Sequence, residues 1–230
     1  ATEMEVMKVE RTANSSDNIK YGLTYGSLYG TRIEDEEISL GSTDVYHIHA
    51  VYESNDDNAA TIPHMTFQDA TIFQKGTVIE GQTSKAKARV VNFNSVSYVC
   101  HFVYENDNRF ALGESVQGFD ANGNVITGLV NDADGSINNG SRNITANFFL
   151  DPNQLGHYYD IGKLVRYSSS SAPLRKLMIV FNRFTHEATG DYFAAQSYVG
   201  IDYSNIPNVS FNGENRELRD VLDFRPAVTP

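Results

Sequence analysis

Tryptophan is absent from this 230-residue sequence, and cysteine occurs once, as Cys100. A single thiol excludes an internal disulfide framework and a zinc site built from several cysteines. Cys100 lies within the apolar run at 98–104, and a free cysteine in such a run typically packs as a small apolar side chain. We therefore predict that Cys100 is a buried structural thiol.

Basic residues are also scarce. Lys and Arg number 18 against 29 Asp and Glu, which gives a formal net charge of −11 at pH 7. Generic binding to nucleic acid requires clustered cations that displace counterions from phosphates, and the cations here are scattered. No apolar run approaches the roughly 18 residues that a membrane-spanning helix needs. The composition therefore predicts no nucleic-acid partner and no membrane insertion.

Long helical periodicity is lacking as well, whereas aromatic and turn-forming residues are plentiful. The chain contains 13 Tyr, 13 Phe and 17 Gly. Aromatic side chains suit the pleated surface of a sheet, and Gly, Asn, Asp and Ser supply turns. The best helical candidate, at 151–162, is weakened by Gly156, since Gly costs about 1 kcal/mol relative to Ala in a helix. These features predict a mainly β fold with little helix.

The strongest strand patterns lie at 44–53 and 176–184, where both alternating faces carry apolar side chains. A strand that is apolar on both faces is typical of the centre of a sheet rather than its edge. A further strand is predicted at 143–150, after a polar loop. We assign these strands to a discontinuous outer domain, residues 1–64 plus 131–230, with a β-sandwich or barrel-like fold.

The stretch between them, residues 65–130, has a different character. Short strand patterns separated by turn signals occur in it, at 71–73, 77–80, 86–93, 97–104 and 115–118. Strands of this length and spacing are typical of small barrels and sandwiches, and Asn122-Gly123 is a hairpin turn signal. Insertion into an exposed loop has a modest entropic cost. We therefore predict that 65–130 is a small inserted β-barrel-like module.

Two histidines, His47 and His49, alternate on one face of the predicted strand at 44–53, about 7 Å apart along it. Such a pair can begin a metal site, which His157, His186 or a carboxylate would have to complete. The sequence places no third ligand. Pairing of the two imidazoles with polar partners across strands is therefore the favoured interpretation, and we predict no metal and no cofactor.

The stretches 120–124 and 132–135, with the sequences DANGN and DADG, resemble fragments of calcium loops. Calcium takes six to eight oxygen ligands, and a twelve-residue loop usually ends in a bidentate Glu. The corresponding positions here are Asn131 and Asn143. Turns capped by Asn and Asp side chains are the favoured interpretation of both stretches.

Charged residues alternate near the C-terminal end, where Arg219, Asp220, Asp223 and Arg225 lie close in sequence. This arrangement predicts structural ion pairs that hold a chain segment. Catalytic carboxylates would need an apolar pocket or a like-charged neighbour to separate their pKa values, and the sequence indicates neither. Serine-nucleophile and phosphate-loop motifs are absent. We predict no catalytic residue and no enzyme activity.

Tyr21, Tyr25 and Tyr29 recur every four residues, each followed by a glycine. This spacing would place them on one helical face, but the three glycines disfavour a helix. An extended or looping aromatic segment is predicted instead. Because Tyr adds contact area at a low entropic cost, we predict an interface at these three residues, with a core strand as the alternative.

Several strings along the chain carry a resemblance to a known class of protein. They are FQKGTVIEGQTS at 73–84, GESV at 113–116, HYYDIGKL at 157–164, KLMIVFNRFTH at 176–186, GDYF at 190–193, IDYSNIP at 201–207 and ELRDVLDFRP at 217–226. The last five strings, in this order, resemble large virion structural proteins of contractile-tailed, T-even-like phages, notably those that infect marine cyanobacteria. The first two resemble a small β module found in phage structural proteins. The resemblance covers about half to two-thirds of the chain.

This resemblance implies a virion location in the tail or baseplate and a role in virion assembly. It implies contacts with other phage structural proteins, several copies per particle and a parent chain longer than this one, with a host surface receptor as a further possible partner. Two other classes of function are weighed against it. One is a receptor- or carbohydrate-binding module of a phage tail. The other is a tail hydrolase, for which Asp220, Asp223, His47 and His49 would have to converge in one cleft.

Overall fold

A computed structural model describes residues 2–9, 32–69, 71–155, 158–159, 161–185, 208–211 and 214–217. Its strands are β1 Thr2–Val9, β2 Glu37–Ser39, β3 Val45–Glu53, β4 His64–Thr66, β5 Val78–Gly81, β6 Lys87–Asn94, β7 Val99–Tyr104, β8 Ser115–Phe119, β9 Val125–Leu129, β10 Ile137–Asn138, β11 Arg142–Asn143, β12 Phe148–Asp151, β13 Gln154–Leu155, β14 Tyr158–Tyr159, β15 Lys163–Arg166, β16 Leu177–Phe184, β17 Asn208–Phe211 and β18 Glu214–Glu217. One 3-10 turn, Thr145–Asn147, is the only helical element of these residues. The mainly β prediction is confirmed.

None of the described helical structure is long and apolar enough to cross a membrane. The helical candidate at 151–162 is wrong for its described residues, which carry the end of β12 and the short strands β13 and β14. The reason lies at Asn153. Its N–H donates to Oδ1 of Asp151 at 2.8 Å, and its φ of +55° lies in the left-handed region, so the chain turns instead of continuing into a helix.

The chain divides into two compact units. Unit 1 contains Ala1–Ile48, Ala146–Ala172 and Val180–Pro230, and unit 2 contains His49–Thr145 and Pro173–Ile179. The stretch 65–130 lies wholly within unit 2, which extends beyond it on both sides. Backbone hydrogen bonds join these flanks. Ser54 N donates to Lys176 O at 2.9 Å, and Ile144 N donates to Val51 O at 2.8 Å. The division into an outer domain and an inserted module stays a prediction.

Unit 2 is built on a seven-stranded sheet with the order β10-β4-β7-β6-β5-β8-β9. This sheet curls so that the end of β9, at one edge, reaches the chain that follows β4, the second strand from the other edge. Phe67, directly after β4, forms an antiparallel bridge with Val130, directly after β9. Two further backbone hydrogen bonds reinforce this bridge. Gln68 N donates to Leu129 O at 2.9 Å, and Asn131 N donates to Thr66 O at 2.8 Å. The curled sheet surrounds an apolar core that includes Cys100, which is fully buried as predicted.

Two interior glycines make room for the rings that fill this core. A Cβ added at Gly118 would lie 2.5 Å from Cδ1 of Phe73, and one at Gly128 would lie 2.8 Å from Cδ1 of Phe67. Both rings are almost wholly buried, and their centroids are 5.2 Å apart. Because protein interiors pack as densely as organic crystals, no side chain fits at either glycine without displacing a ring.

The hairpin of β8 and β9 confirms the turn predicted at Asn122-Gly123. Gly123 has a φ of +80°, a conformation that glycine adopts without steric cost. Phe119 pairs with Val125 across the hairpin. The predicted strand at 71–73 is wrong, because that segment forms no strand ladder. The backbone N of Gln74, which follows it, donates to Phe119 O at 2.8 Å, and Phe73 lies in the core.

In the other large sheet, of order β1-β16-β3-β11, both predicted central strands have a neighbour on each side. This confirms the assignment of 44–53 and 176–184 as central. The predicted strand at 143–150 is interrupted by the 3-10 turn. Oδ1 of Asn143 accepts bonds from the backbone N and from Oγ1 of Thr145, at 3.0 and 2.6 Å, and local bonding of this kind competes with a strand ladder.

We expect Gly118→Ala to lower the free energy of unfolding by about 1–3 kcal/mol, because the new methyl group would overpack the core against Phe73. Urea denaturation measures this change. Gln117→Ala, an exposed neighbour on the same strand, is the control and should change stability by less than about 0.5 kcal/mol. Equal effects of the two substitutions would contradict the packing constraint.

Candidate functional site

Unit 1 presents a pair of half-exposed aromatic rings from its strands β3 and β16. Tyr46 and Phe184 stack with a centroid distance of 4.5 Å and an interplanar angle of 28°. The two residues are 41% and 40% exposed. Asn182, on the same face of β16 as Phe184 because side chains alternate along a strand, donates from Nδ2 to the hydroxyl oxygen of Tyr46 at 3.1 Å. We call these three residues the aromatic patch.

On the opposite face of β16, the buried residue Phe181 is followed by the charged residue Arg183 near the end of the strand. Arg183 contacts the carboxylates of both Glu3 and Glu5 on β1. Since Glu3 and Glu5 share one face of β1, Val6 lies on the other face, the side of the aromatic patch. Val6 is itself exposed. In unit 1, the ion pairs of Arg183 and the aromatic patch with Val6 therefore lie on opposite faces of β1 and β16.

A second ring pair lies elsewhere in unit 1. Phe149 on β12 and Tyr167, just after β15, have centroids 5.0 Å apart, and both are more than 40% exposed. The backbone N of Tyr167 donates to Asn147 O at 2.9 Å, which extends the ladder between the two strands and aligns the rings. Unit 1 thus carries two pairs of aromatic rings that are only partly covered by the described residues.

In unit 2 the outer face of the β8–β9 hairpin is apolar at two positions. Phe119 and Val125 are directly opposite each other, and the next pair, Asp120 and Asn124, forms the backbone bond from Asp120 N to Asn124 O. Phe119 and Val125 are therefore a non-hydrogen-bonded pair, in which side chains approach most closely. Both side chains, with Leu129 further along β9, are exposed.

Glu53 is a buried carboxylate whose acceptor positions are occupied by structural donors. Its Oε1 accepts from the backbone N of Leu174 and of Arg175 at 2.7 and 3.1 Å. Its Oε2 pairs with the guanidinium of Arg142. A buried charge is tolerated when it is paired and hydrogen-bonded, so Glu53 anchors the segment at 174–175 rather than presenting a free acid or base.

Glu114 is the other buried carboxylate of unit 2, and it also holds loop backbone in place. It accepts from the backbone N of Ser84 at 3.0 Å, from the Ser84 hydroxyl at 2.9 Å and from the backbone N of Ala111 at 2.6 Å. A Cβ at Gly81 would lie 2.7 Å from its Oε2, so glycine is required for this approach. The carboxylate ties two loops to the end of the curled sheet.

A cross-strand imidazole pair was missed by the sequence analysis. His64 on β4 is directly opposite His101 on β7, and the ring centroids are 5.3 Å apart. Burial, and secondarily the neighbouring His64, lowers the pKa of His101 below its ordinary value of 6.5. No local motif joins the two histidines, since they are 37 positions apart; only a strand-pairing assignment could have found them.

His47 and His49, the histidines that the sequence suggested as the start of a metal site, both lie on β3. His47 is exposed and His49 is half-buried. Within the described ranges no group of three or more His, Cys, Asp or Glu side chains is placed to hold a metal ion. His157 and His186, the possible additional ligands, lie outside the described residues, as do the interface candidates Tyr21, Tyr25 and Tyr29 and the charged set Arg219, Asp220, Asp223 and Arg225.

The calcium-like stretch at 120–124 is a turn in which Asp120 binds its own backbone. Oδ1 of Asp120 accepts from the N–H groups of Asn122 and Asn124, both at 2.8 Å, and Oδ2 accepts from the Asn124 amide at 3.0 Å. The Asn124 side-chain amide, followed by its backbone N–H, lowers the pKa of Asp120 from its ordinary value of 3.8. The carboxylate oxygens are thus engaged within the turn.

We expect the free energy of unfolding to depend on the ionisation of Asp120. A carboxyl group with a lowered pKa in the folded state stabilises that state above its unfolded pKa and loses this contribution as pH falls through the folded pKa. The stability difference between the natural chain and Asp120→Asn should therefore shrink below about pH 4. Urea denaturation at pH 7, 4 and 3 measures it. Asp134→Asn is the control, and an equal trend there would contradict this assignment.

We also expect Cys100 to resist thiol reagents in the folded protein. Burial raises the pKa of its thiol, and the thiolate is the reactive form. Reaction with DTNB at pH 8 should therefore require unfolding of the chain. Its rate should rise at the urea concentration that is the midpoint of unfolding by circular dichroism. Rapid stoichiometric reaction of the native chain would show that the core opens readily at β7.

Known proteins give no independent guide to these surfaces. No protein-family model, no curated protein and no solved structure matches the chain. The functional candidates of this fold are therefore its own exposed features, above all the two aromatic pairs of unit 1. Its two described buried carboxylates that are fully bonded, Glu53 and Glu114, have structural roles.

Proposed function

We propose that this chain is a non-enzymatic structural component of a bacteriophage virion, in the tail or baseplate. It acts through protein–protein contacts with other phage structural proteins and is present in several copies per particle. The observation that carries the proposal is the presentation of paired aromatic rings on the outer faces of strands. Tyr46 with Phe184 and Phe149 with Tyr167 all remain 40–45% exposed.

Exposed ring pairs of this kind fit a role in assembly. Aromatic side chains are enriched at the centres of protein interfaces, where a few residues supply most of the binding energy. Burial contributes roughly 25 cal/mol for each Å² of apolar surface removed from water. The rings of each pair are already held against each other, so little side-chain freedom remains to be lost when a partner covers them.

The buried ionisable groups support a structural role rather than a catalytic one. Glu53 and Glu114 hold backbone N–H groups of loops, and Cys100 is a core residue. A catalytic group needs a reactive atom within reach of substrate, and these three groups do not offer one. The strings at 157–164 and 176–186, which resemble cyanophage virion proteins, support the same proposal from the sequence.

A second candidate function is a receptor- or carbohydrate-binding module of a phage tail. The observation that favours it is the contact between Asn182 and the hydroxyl of Tyr46, because it places polar groups beside an exposed aromatic face. A glycan array tests this candidate. Binding of a defined glycan that is lost in Tyr46→Ala would favour it over the assembly role, and absence of binding across the array would count against it.

The assembly role is tested by mass spectrometry of purified phage particles together with mass photometry of the recombinant chain. We expect its peptides in intact particles, and we expect the isolated chain to form oligomers or bind another virion protein. Absence from particles combined with a free monomer in solution would overturn the proposal.

We expect the double substitution Tyr46→Ser and Phe184→Ser to weaken assembly at least tenfold, which corresponds to about 1.4 kcal/mol. Circular dichroism checks that the variant remains folded. Val96→Ser is the matched control, because Val96 is an isolated apolar residue that is 89% exposed in unit 2. If both variants assemble as well as the natural chain, the aromatic patch is not part of the contact surface.

A further inference from the structure

His64 and His101 occupy the cross-strand position at which two side chains come closest. Phe102 N donates to Pro63 O at 2.9 Å, so the pair of residues 63 and 102 is hydrogen-bonded. The next pair, His64 and His101, is therefore a non-hydrogen-bonded pair, whose Cα atoms are about 4.5 Å apart and whose side chains point to the same face. This face is opposite to that of Met65 and Cys100, which lie in the core.

We propose that His64 and His101 together bind a divalent transition-metal ion of the zinc, nickel and copper group. The separation of the rings fits this chemistry. A zinc ion lies about 2.0 Å from each ligating nitrogen, and the ring centroid lies about 1.1 Å behind that nitrogen, so two rings at a tetrahedral angle have centroids about 5 Å apart. The observed separation is 5.3 Å.

The hydrogen bond of His64 prepares its other nitrogen for a metal. Nδ1 of His64 lies 3.2 Å from the carbonyl oxygen of Ile62, and the N–H form of Nδ1 donates to this oxygen. The lone pair is then on Nε2. Metal-ligating histidines almost always donate their second ring N–H to a carbonyl, a carboxylate or water, which orients the ring and selects the tautomer.

His101 supplies a second, independent observation. Its Nδ1 is buried and has no hydrogen-bond partner among the described residues. A buried polar atom without a partner is costly, and coordination of a metal would satisfy its lone pair. The candidate ligand atoms are therefore Nε2 of His64 and Nδ1 of His101.

The neighbouring residues favour a borderline metal over a hard one. Asn92 on β6 is opposite His101, and Asn138 on β10 is opposite His64; both are exposed and uncharged. Imidazole suits zinc, nickel and copper, whereas magnesium and calcium require several oxygen ligands. Two protein ligands leave the remaining coordination positions of such an ion to water.

Isothermal titration calorimetry of the untagged 230-residue chain with NiCl2 and with ZnCl2 tests the proposal. We expect saturable binding of one ion at this pair, and no binding of MgCl2. His64→Gln and His101→Gln should each weaken binding at least about tenfold. The double substitution His47→Gln and His49→Gln is the matched control and should leave this binding unchanged.

A second measurement locates the ion even if a variant fails to fold. Substoichiometric Cu²⁺ added to the natural chain should broaden the NMR amide signals around positions 64 and 101 before those around positions 47 and 49. Absence of saturable binding up to 1 mM metal, binding unaffected by both single substitutions, or broadening centred on β3 would each overturn the proposal. None of these outcomes depends on a role of the chain in a virion.

Discussion

The closure of the curled sheet in unit 2 depends on a close contact between aromatic rings and glycine backbone. Phe73 packs against Gly118 and Phe67 against Gly128, at distances that leave no room for a Cβ atom. Because the backbone can approach the rings this closely, β8 and β9 bend over the core, and the end of β9 reaches the residue after β4. The same closure brings the loops bound by Glu114 to one end of the sheet.

The two buried carboxylates of unit 2, Glu53 and Glu114, are each matched by hydrogen-bond donors. Glu53 and Glu114 together accept bonds from backbone groups at 84, 111, 174 and 175. Removal of a carboxylate from water is costly unless such donors replace the water, so the loops and the carboxylates depend on each other. The result is a β framework in unit 2 whose loops at 84, 111, 174 and 175 are held by side-chain carboxylates.

The two candidate surfaces, the aromatic patch and the imidazole pair, are products of strand order. Tyr46 and Phe184 are 138 positions apart, and they stack because β3 and β16 are neighbours in one sheet. His64 and His101 meet for the same reason on β4 and β7. Alternation along each strand predicts which side chains share a face of that strand, but it does not predict which strand lies beside it. Both candidate surfaces were therefore beyond sequence reasoning, whereas the burial of Cys100 and the turn at Asn122-Gly123 were not.

The sequence by itself determined the mainly β class, the central strands at 44–53 and 176–184 and the hairpin at 120–124, because alternation and turn chemistry are local properties of the chain. It misjudged 71–73 and 143–150, where tertiary packing of Phe73 and side-chain bonds of Asn143 override the local pattern. The tertiary structure alone decided the sheet closure, the partners of the buried carboxylates and the pairing of exposed rings. Each of these depends on contacts between residues far apart in sequence, which no local pattern records.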